Sequence, residues 1–280
     1  MPGNEPAVDG PMRTNHAFNE PRLIPMPNKP PLISINKVAK NYQTRRGDKV
    51  LAVGEVSLEI ADEEFISLIG PSGCGKSTLL HMMAGLLQPT SGEITVRGES
   101  RPIRAREFGM VFQEPVLFPW LTIKENVEMP AEVLGIPKNE YTKRSQELLE
   151  LVGLAHFGDM YPRELSGGMQ QRASIARAMI HDPELLLMDE PFGAVDAITR
   201  ENLNVELHRI QTVARKSIIF VTHSIPEAVF LSNRVVVMSS RPSRVRSVID
   251  IDLPPQRRPE LLESTELNDL VRKIHKELAQ

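Results

Sequence analysis

The pattern of apolar and polar positions separates an N-terminal tail from a folded region that begins at Leu32. Residues 1–31 are rich in proline and follow no apolar period, so we expect a disordered tail, with a docking segment as the alternative. From Leu32 onwards, LISINKVAKNY and VSLEI alternate apolar and polar residues as half-buried strands do. FISLIG is a compact apolar run, and GEITVRG also has the pattern of a strand. The first part of the folded region is therefore predicted to be rich in β-structure.

Helical periods dominate the middle of the chain, from about residue 115 to residue 180. Stretches such as RSQELLELVGL space their leucines as a helix does and end in a glycine typical of a helix C-terminus. Three near-continuous apolar runs follow, LLLMD, SIIFVTH and RVVVMSS, with helical patterns between them. Such runs are typical of strands buried on both faces of a parallel sheet with crossover helices. We therefore predict an α/β fold with an inserted helical region.

The last helical pattern, within about residues 257–280, has one apolar face. The residues on this face are Leu267, Leu270, Val271, Ile274 and Leu278. A helix docked on the core is the favoured interpretation, and a partner-binding face is the alternative. Because the sequence contains no internal repeat, we expect residues 32–280 to form a single domain.

Composition and charge narrow the class of protein. The 280 residues are 41% hydrophobic and 25% charged, an ordinary balance for a globular core. A net charge of -3 and an isoelectric point near 6.2 argue against a general nucleic-acid-binding protein. The apolar runs are far shorter than the ~20 residues of a membrane-spanning helix, and the N-terminus has no signal-peptide pattern. The single cysteine, Cys74, has no partner for an internal disulfide, which is compatible with a reducing compartment.

The stretch GPSGCGKST carries the strongest chemical signal in the chain. It fits the pattern G-x-x-x-x-G-K-[ST] between a predicted strand and a predicted helix, which is the context of a phosphate-binding loop. Backbone amides at the glycines can surround phosphates, and the helix N-terminus adds positive charge. Lys76 is expected to reach the β- and γ-phosphates, Ser77 to hold Mg²⁺, and Thr78 to contact the inner phosphates. The expected nucleotide-binding residues of this loop are Gly70, Ser72, Gly73, Cys74, Gly75, Lys76, Ser77 and Thr78.

Two carboxylates, Asp189 and Glu190, follow the apolar run in LLLMDEP. Because open α/β sheets bind ligands outside the C-terminal ends of their strands, this pair is expected to meet the phosphate loop. Asp189 suits hydrated Mg²⁺, and Glu190 suits the polarisation of a water molecule in line with the γ-phosphate. A structural role for Glu190 at the end of a loop is the alternative.

Four motifs together make a family resemblance specific. GPSGCGKST, LSGGMQQR, LLLMDEP and VTH occur in the order and spacing of ATP-binding cassette (ABC) transporter ATPases, over about residues 32–278. The resemblance implies ATP and Mg²⁺ as cofactors and a P-loop NTPase (RecA-like) core. It also implies an N-terminal antiparallel β subdomain and an inserted helical subdomain, at about 115–180, with the signature motif LSGG. Two copies of the chain would assemble head to tail, with Ser166, Gly167 and Gly168 binding the γ-phosphate of ATP held by the second copy.

The resemblance implies further roles one residue at a time. Gln113 in VFQEP matches the Q-loop glutamine, which contacts Mg²⁺ or the attacking water and senses the membrane partner. His223 matches the switch histidine on the γ-phosphate, and Asp196 matches the aspartate of the dimer-bridging loop. Tyr42 stands where the family keeps an aromatic residue that stacks on adenine, with a buried strand tyrosine as the alternative. The other six histidines match no motif and are interpreted as structural or solvated.

The implied catalytic residues are Lys76, Gln113, Glu190 and His223, and the implied metal ligands are Ser77, Gln113 and Asp189. Four positions depart from the family pattern without removing a group that phosphate chemistry needs: Met169, Val195, Ser224 and Pro226. Cys74 lies in the phosphate loop near a helix N-terminus, where thiolates are favoured. We therefore expect alkylation of its thiol to block ATP binding.

Three segments, EPVLFPWLTIKENV, DEPFGAVDAITR and MSSRPSRV, resemble importer ATPases for nitrate, sulfonates and taurine. The resemblance implies a peripheral subunit on the cytoplasmic face of the inner membrane. Its implied partners are membrane permease subunits and, through them, an extracytoplasmic solute-binding protein, but no nucleic acid. Trp120 in FPW follows Gln113 where the family docks its membrane subunit, and a core tryptophan is the alternative. An exporter ATPase or a soluble ABC ATPase remains the alternative function.

Overall fold

Two sheets organise the part of the chain that the computed structural model describes, residues 30–43, 47–193 and 195–279. The first sheet is antiparallel and places β1 (Ile33–Gln43) between β2 (Lys49–Ile60) and β4 (Ser91–Val96). The strands expected from alternation in this region are thereby confirmed. Most of the tail predicted for residues 1–31 lies outside the described residues.

The second sheet carries the apolar runs. Its strands among the described residues are β3 (Phe65–Ile69), β5 (Phe108–Val111), β6 (Leu185–Asp189), β7 (Ser217–Val221), β8 (Arg234–Met238) and β9 (Val245–Asp250). The order is β5–β6–β7–β3–β8–β9, in which β5, β6, β7, β3 and β8 run parallel and β9 pairs antiparallel with β8. Every residue of β3 and β7 is buried, which is why their sequences, apart from one serine each, are apolar instead of alternating. The predicted parallel sheet is confirmed.

The α-helices of the described chain connect and cover this sheet. They are α1 (Lys76–Met83), α2 (Ile123–Val133), α3 (Lys138–Leu151), α4 (Gly167–Met179), α5 (Ala197–Ala214), α6 (Ile225–Leu231) and α7 (Thr265–Ala279). Helices α2, α3 and α4, which follow β5 and precede β6 in the sequence, pack on one another. Residues 115–121 form a loop, and α2 begins only after Thr122, whose hydroxyl and the Glu125 carboxylate make a reciprocal cap.

Helix α4 is hydrogen-bonded to the loop that follows β5. Gln171 donates from Nε2 to the carbonyl oxygen of Phe112 at 3.2 Å, and Arg177 donates from Nη2 to that of Pro115 at 2.9 Å. A Cβ atom on Gly109 in β5 would lie 2.1 Å from the carbonyl oxygen of Ala178, so only glycine permits this approach of strand and helix. The middle and C-terminal part of α4 are therefore attached to β5 and to the loop after it.

The C-terminal helix α7 packs its apolar face on the core. Leu267 and Ile274 are fully buried there, and Leu270, Val271 and Leu278 are partly buried against the same cluster. The docked-helix interpretation is confirmed. No helix within the described ranges is both long and apolar enough to cross a bilayer.

Parallel strands bring their C-terminal ends to one edge of the sheet. The phosphate loop follows β3, the carboxylate pair ends β6, and His223 follows β7. Because β6, β7 and β3 are neighbours in the sheet, these three segments meet at that edge.

Candidate functional site

The phosphate loop closes around the ammonium group of its own lysine. Lys76 is 4% exposed, and its Nζ donates to the carbonyl oxygens of Gly70 at 2.8 Å and Pro71 at 3.2 Å. Gly75 precedes α1 at a φ of 119°, and a Cβ there would lie 3.0 Å from Ser243 Oγ and from a Val53 methyl group. Both the positive φ and the close packing require glycine at this position. The loop predicted from sequence therefore has the build of a phosphate cradle at a helix N-terminus.

Ser77 and Asp189 meet between the start of α1 and the end of β6. The Ser77 hydroxyl donates to Oδ1 of Asp189 at 2.8 Å. Burial is the largest effect on the pKa of Asp189 and raises it, because a desolvated carboxylate is less stable. The two oxygen donors fit Mg²⁺, which prefers carboxylate and hydroxyl oxygens and keeps positions for water and phosphate. Among the described residues there is no cluster of three or more acidic, histidine or cysteine side chains that could hold a metal ion.

A histidine that sequence reasoning left without a role lies against this pair. The Nε2 atom of His81 is 3.9 Å from Oδ2 of Asp189. His81 follows Ser77 by four residues on α1, so both side chains share one helix face. The four-residue spacing of Ser77 and His81 in a predicted helix was the sequence signal that could have placed His81 near the site.

Glu190 is held in a conformation that aims its carboxylate at His223. Its φ is 45°, a left-handed value that costs a non-glycine residue roughly 1–2 kcal/mol. Its N–H donates to the carbonyl oxygen of Val221 at 2.9 Å, and its own carbonyl accepts from Gly193 N at 3.0 Å. Oε2 of Glu190 lies 3.2 Å from Nδ1 of His223. Two of the four residues expected to be catalytic, Glu190 and His223, are thus in contact, and Glu190 has a strained backbone.

Gln113 lies beside the turn that follows Glu190. A Cβ on Gly193 would be 2.8 Å from Nε2 of Gln113 and 3.3 Å from the carbonyl oxygen of Glu190. The structure therefore brings together Gln113, Glu190 and His223, although they come from the ends of three different strands.

A buried carboxylate behind His223 was missed by sequence reasoning. Glu227 on α6 is 5% exposed, and its Oε2 accepts from the Thr222 hydroxyl at 2.6 Å. Its Oε1 lies 3.5 Å from Nε of Arg200 on α5. Burial is the largest effect on the pKa of Glu227 and raises it. Glu227 occurs in a short helical segment with no motif that we recognised, so only the fold revealed its position.

The departures near His223 have a local explanation. Ser224 is the N-cap of α6, and its hydroxyl accepts from Glu227 N at 3.4 Å. Pro226 lies in the first turn of that helix, where a missing N–H costs little. Ser224 therefore performs the capping that an aspartate would perform at the same position.

The signature residues lie at the N-terminus of α4. Ser166 is its N-cap, and its Oγ accepts from Met169 N at 3.3 Å. A Cβ on Gly168 would lie 2.8 Å from the Thr199 methyl group, whereas one on Gly167 would meet nothing within 4 Å. The face at Gly167 is therefore open.

Asp196 caps the neighbouring helix α5. Its Oδ1 accepts from Thr199 N at 3.0 Å, and this backbone hydrogen bond is the main reason that the pKa of Asp196 is lowered. Because Gly168 also approaches Thr199, the LSGG and GAVD motifs lie side by side. The contacts that the described residues give to Ser166, Gly168 and Asp196 do not involve the phosphate loop of the same chain.

The solvent exposure of three side chains bears on what the sequence led us to expect of them. Tyr42 is 42% exposed and Trp120 is 69% exposed, so the interpretations of a buried strand tyrosine and of a core tryptophan are wrong. The Trp120 ring lies 5.3 Å from that of Phe118. Cys74 is 2% exposed and its side chain packs in the core. That alkylation of its thiol blocks ATP binding stays a prediction. Only the backbone of Cys74 is in a position to line the loop.

Comparison with known proteins agrees with this architecture. Residues 53–193 match the family model described as ABC transporter. The chain is 44% identical over 213 residues to the taurine import ATP-binding protein TauB of Roseobacter denitrificans, covering 76% of this chain and 80% of the relative. It is 44% identical over 223 residues to the aliphatic sulfonates import ATP-binding protein SsuB of Bacillus cereus, covering 79% and 87%. A dimeric structure of the ATP-binding cassette MJ0796, in a post-hydrolysis state bound to ADP and Pi, superposes with a TM-score of 0.68. That structure is 31% identical and covers 79% of this chain and 100% of its own.

The parallel sheet, the phosphate loop and the carboxylates at the strand ends define a P-loop NTPase. Within that class, the chain belongs to the ABC transporter family and is an ATPase.

Proposed function

We propose that this chain is the ATP-hydrolysing subunit of an importer for a small solute such as taurine, another sulfonate or nitrate. The observation that carries the catalytic part is the contact of 3.2 Å between Glu190 and His223, at the same sheet edge as the Ser77–Asp189 pair. The names of the relatives TauB and SsuB, both import ATP-binding proteins, support the direction of transport and the solute class.

Each residue of the site has a chemical task in this proposal. Backbone N–H groups of residues 72–78 and the Lys76 ammonium bind the phosphates of ATP. Ser77, Asp189 and Gln113 would hold Mg²⁺, which neutralises charge on the β- and γ-phosphates. The Glu190 carboxylate accepts the proton of the attacking water, and the water oxygen bonds to the γ-phosphorus as the bond to the β-phosphate oxygen breaks.

His223 positions the base and faces the γ-phosphate. Its Nδ1–H donates to Oε2 of Glu190, which fixes one carboxylate oxygen and leaves the other towards the water. The left-handed backbone at Glu190 is consistent with a position that function, and not stability, has selected.

A second copy of the chain completes each site in this proposal. The open face at Gly167 and the N-cap Ser166 suit the N-terminus of α4 to anion binding. The contacts of Ser166 described above do not involve the phosphate loop of its own chain. In a head-to-tail dimer, Ser166, Gly167 and Gly168 would bind the γ-phosphate across the interface, and Asp196 would bridge the two copies. Tyr42, half-exposed on β1, would stack on the adenine.

The membrane partner binds at the exposed Trp120 and the half-buried Phe118 beside it in this proposal. Tryptophan is enriched in interfaces, and this one lies on the loop that follows Gln113. The partners are integral permease subunits and, through them, an extracytoplasmic solute-binding protein, but no nucleic acid. The subunit then works peripherally, at the cytoplasmic face of the inner membrane.

The catalytic part is tested with Glu190→Gln. We expect this variant to bind ATP with the affinity of the unaltered protein, to lose at least about 100-fold in turnover, and to accumulate as an ATP-bound dimer on size exclusion. Glu201→Gln, an exposed change on α5, is the matched control and should retain turnover. Hydrolysis by Glu190→Gln at the original rate would refute the role of Glu190 as base.

The transport part is tested by purifying the tagged protein from gently solubilised native membranes. A co-purifying multi-span permease supports the proposal, and its paired binding protein can then be screened with taurine, alkanesulfonates and nitrate. Recovery only in the soluble fraction, with ATP present and across several mild detergents, contradicts it.

A further inference from the structure

The turn between β8 and β9, residues 239–244, touches the back of the phosphate loop. Nε of Arg241 donates to the carbonyl oxygen of Gly73 at 2.6 Å. The Nη2 atom of the same guanidinium lies 3.8 Å from the position that a Cβ on Gly73 would take. This turn is the SSRPSR part of a segment that the resemblance to importer ATPases singled out, and no catalytic or phosphate role accounts for it.

The turn is itself firmly held. Ser243 is completely buried; its N–H and Oγ both donate to the carbonyl oxygen of Ala52 at 3.3 Å, and its carbonyl accepts from Gly54 N at 2.8 Å. Ser239 braces the turn from within, because its Oγ accepts from Arg244 N at 3.1 Å. The turn that carries Arg241 is thus anchored on β2 by hydrogen bonds.

The contact acts on one peptide group of the loop. In a trans peptide the C=O and N–H point in opposite directions. The Gly73 carbonyl accepts from Arg241, and the Cys74 N–H of the same peptide donates to the carbonyl oxygen of Pro71 at 3.2 Å. Both ends of this peptide are therefore fixed, at a point where Gly73 has a φ of 69°. Glycine in that region can change conformation at little cost, so an external contact is what restrains it.

The β8–β9 turn also closes the loop at its far end. The Oγ of Ser243 would lie 3.0 Å from a Cβ on Gly75, so the turn contacts the loop at both of its positive-φ glycines. A loop restrained before nucleotide arrives loses less conformational freedom on binding, and affinity rises accordingly.

We propose that Arg241 is a positioning residue for nucleotide binding, which holds the Gly73–Cys74 peptide so that the loop amides are arranged for the β-phosphate. The proposal rests on the function proposed above only in requiring that residues 70–78 bind nucleotide. The positive charge of Arg241 adds to the electrostatic potential around the phosphates. The positioning of the Gly73–Cys74 peptide, however, is what sets the affinity for nucleoside diphosphates and triphosphates alike.

The test compares Arg241→Gln and Arg241→Lys with the control Arg246→Gln, an exposed change on β9. Dissociation constants for ADP and ATP are measured by titration calorimetry without turnover, followed by steady-state kinetics with ATP. For Arg241→Gln we expect both dissociation constants and KM to rise by the same factor, about 3- to 10-fold, with kcat within about twofold. Arg241→Lys keeps the charge and one donor and should recover part of the affinity, while Arg246→Gln should not change it.

Three outcomes would overturn the proposal. These are unchanged affinity in Arg241→Gln, a loss for ATP without a loss for ADP, and a fall in kcat at constant KM. The second outcome would make Arg241 a direct ligand of the γ-phosphate. A thermal midpoint within a few degrees of the unaltered protein excludes general unfolding as the cause. Failure of the proposed function would be visible separately, as an unaltered protein that does not bind ATP or a Glu190→Gln variant that still hydrolyses it.

Discussion

Nε of Arg200, on α5, lies 3.5 Å from Oε1 of Glu227, a buried carboxylate on α6. The same guanidinium donates from Nη2 to the carbonyl oxygen of Val195 at 3.0 Å. Glu227 also accepts from Thr222, the residue before His223. The Arg200 side chain therefore joins the loop of the GAVD motif to the segment that carries His223.

The pH dependence of stability follows from this carboxyl. The pKa of Glu227 is raised in the folded protein, mainly by burial; the hydrogen bond from Thr222 opposes the shift most, Arg200 and His223 oppose it less, and Glu190 adds to it. A raised pKa means that the folded state binds the proton more tightly, so this contribution to stability is complete below the unfolded pKa and is lost as pH rises through the folded pKa. Glu227→Gln should remove that loss. We expect its unfolding free energy in urea, relative to the unaltered protein, to increase with pH from the acid side towards neutrality. A constant difference across that range would contradict the shift.

Substitution of His223 by alanine should reduce turnover with little effect on nucleotide affinity. The change removes the Nδ1 contact that fixes the Glu190 carboxylate. We expect kcat to fall by about 10²–10⁴-fold, the usual contribution of a positioned acid or base. Because the side chain of His223 is 56% exposed, the fold should tolerate the change. His156→Ala, in the loop after α3, is a control that should retain kcat. Similar turnover in both variants would remove His223 from the mechanism.

A methyl group on Gly193 should disturb Gln113 and, to a lesser extent, the turn that follows Glu190. The new Cβ would lie 2.8 Å from Gln113 Nε2, the mobile end of a side chain, and 3.3 Å from the carbonyl oxygen of Glu190, so Gly193→Ala should fold with a small loss of stability. We expect a several-fold lower kcat and a weaker dependence of turnover on Mg²⁺, measured by titrating the cation at saturating ATP. Gly158→Ala is the matched control, because a Cβ there makes ordinary contacts from 3.5 Å and the φ of −58° suits alanine. Unchanged kinetics in Gly193→Ala would show that Gln113 does not act from this position.

The Cys74 thiol should be unreactive until the protein unfolds. It is 2% exposed and packs in the core beneath the phosphate loop. We expect a disulfide reagent such as DTNB to react at least about 100-fold more slowly with the native protein than with the protein in urea. ATP should slow the native reaction further, because bound ligand opposes opening of the loop. A rapid native reaction would mean that the loop opens far more readily than its packing indicates.

Trp120 should matter for the membrane complex but not for the isolated ATPase. Its side chain is exposed and contacts Phe118, so Trp120→Ala leaves the core intact. We expect recovery of the permease in the membrane purification to fall by at least about tenfold, as for a truncated interface anchor, while solution ATPase activity stays within about twofold. Val133→Ala, an equally exposed apolar residue at the end of α2, is the control. Equal recovery for Trp120→Ala and the unaltered protein would place the docking surface elsewhere.

The sheet could be predicted because its sequence pattern and its burial have the same cause. Strands such as β3 and β7 are covered on both faces, and that requirement makes their sequences apolar apart from one serine each. The motif residues were predictable for a related reason, since parallel strands end at a common edge. The spacing of Lys76 from Asp189 along the chain therefore says little about their distance in space, whereas the strand ends say much.

Other parts of the site depend on contacts that no local pattern contains. Glu227 is buried only because α5 and α6 pack there, and its partner Arg200 is 27 positions away. The inward orientation of Cys74 follows from close packing beneath the loop, which a loop motif does not encode. The link between Arg241 and Gly73 joins residues 168 positions apart.

The hydrogen bonds between α4 and the loop after β5 couple the position of the helix to that of the loop. Gln171 and Arg177 hold the carbonyl groups of Phe112 and Pro115, on either side of Gln113. A partner bound at the exposed ring of Trp120 that displaced this loop would also displace α4, through these hydrogen bonds and a third from Arg177 Nη1 to the carbonyl oxygen of Val116. Because α4 begins at the LSGG motif, such a displacement would reorient the signature residues in the dimer proposed above.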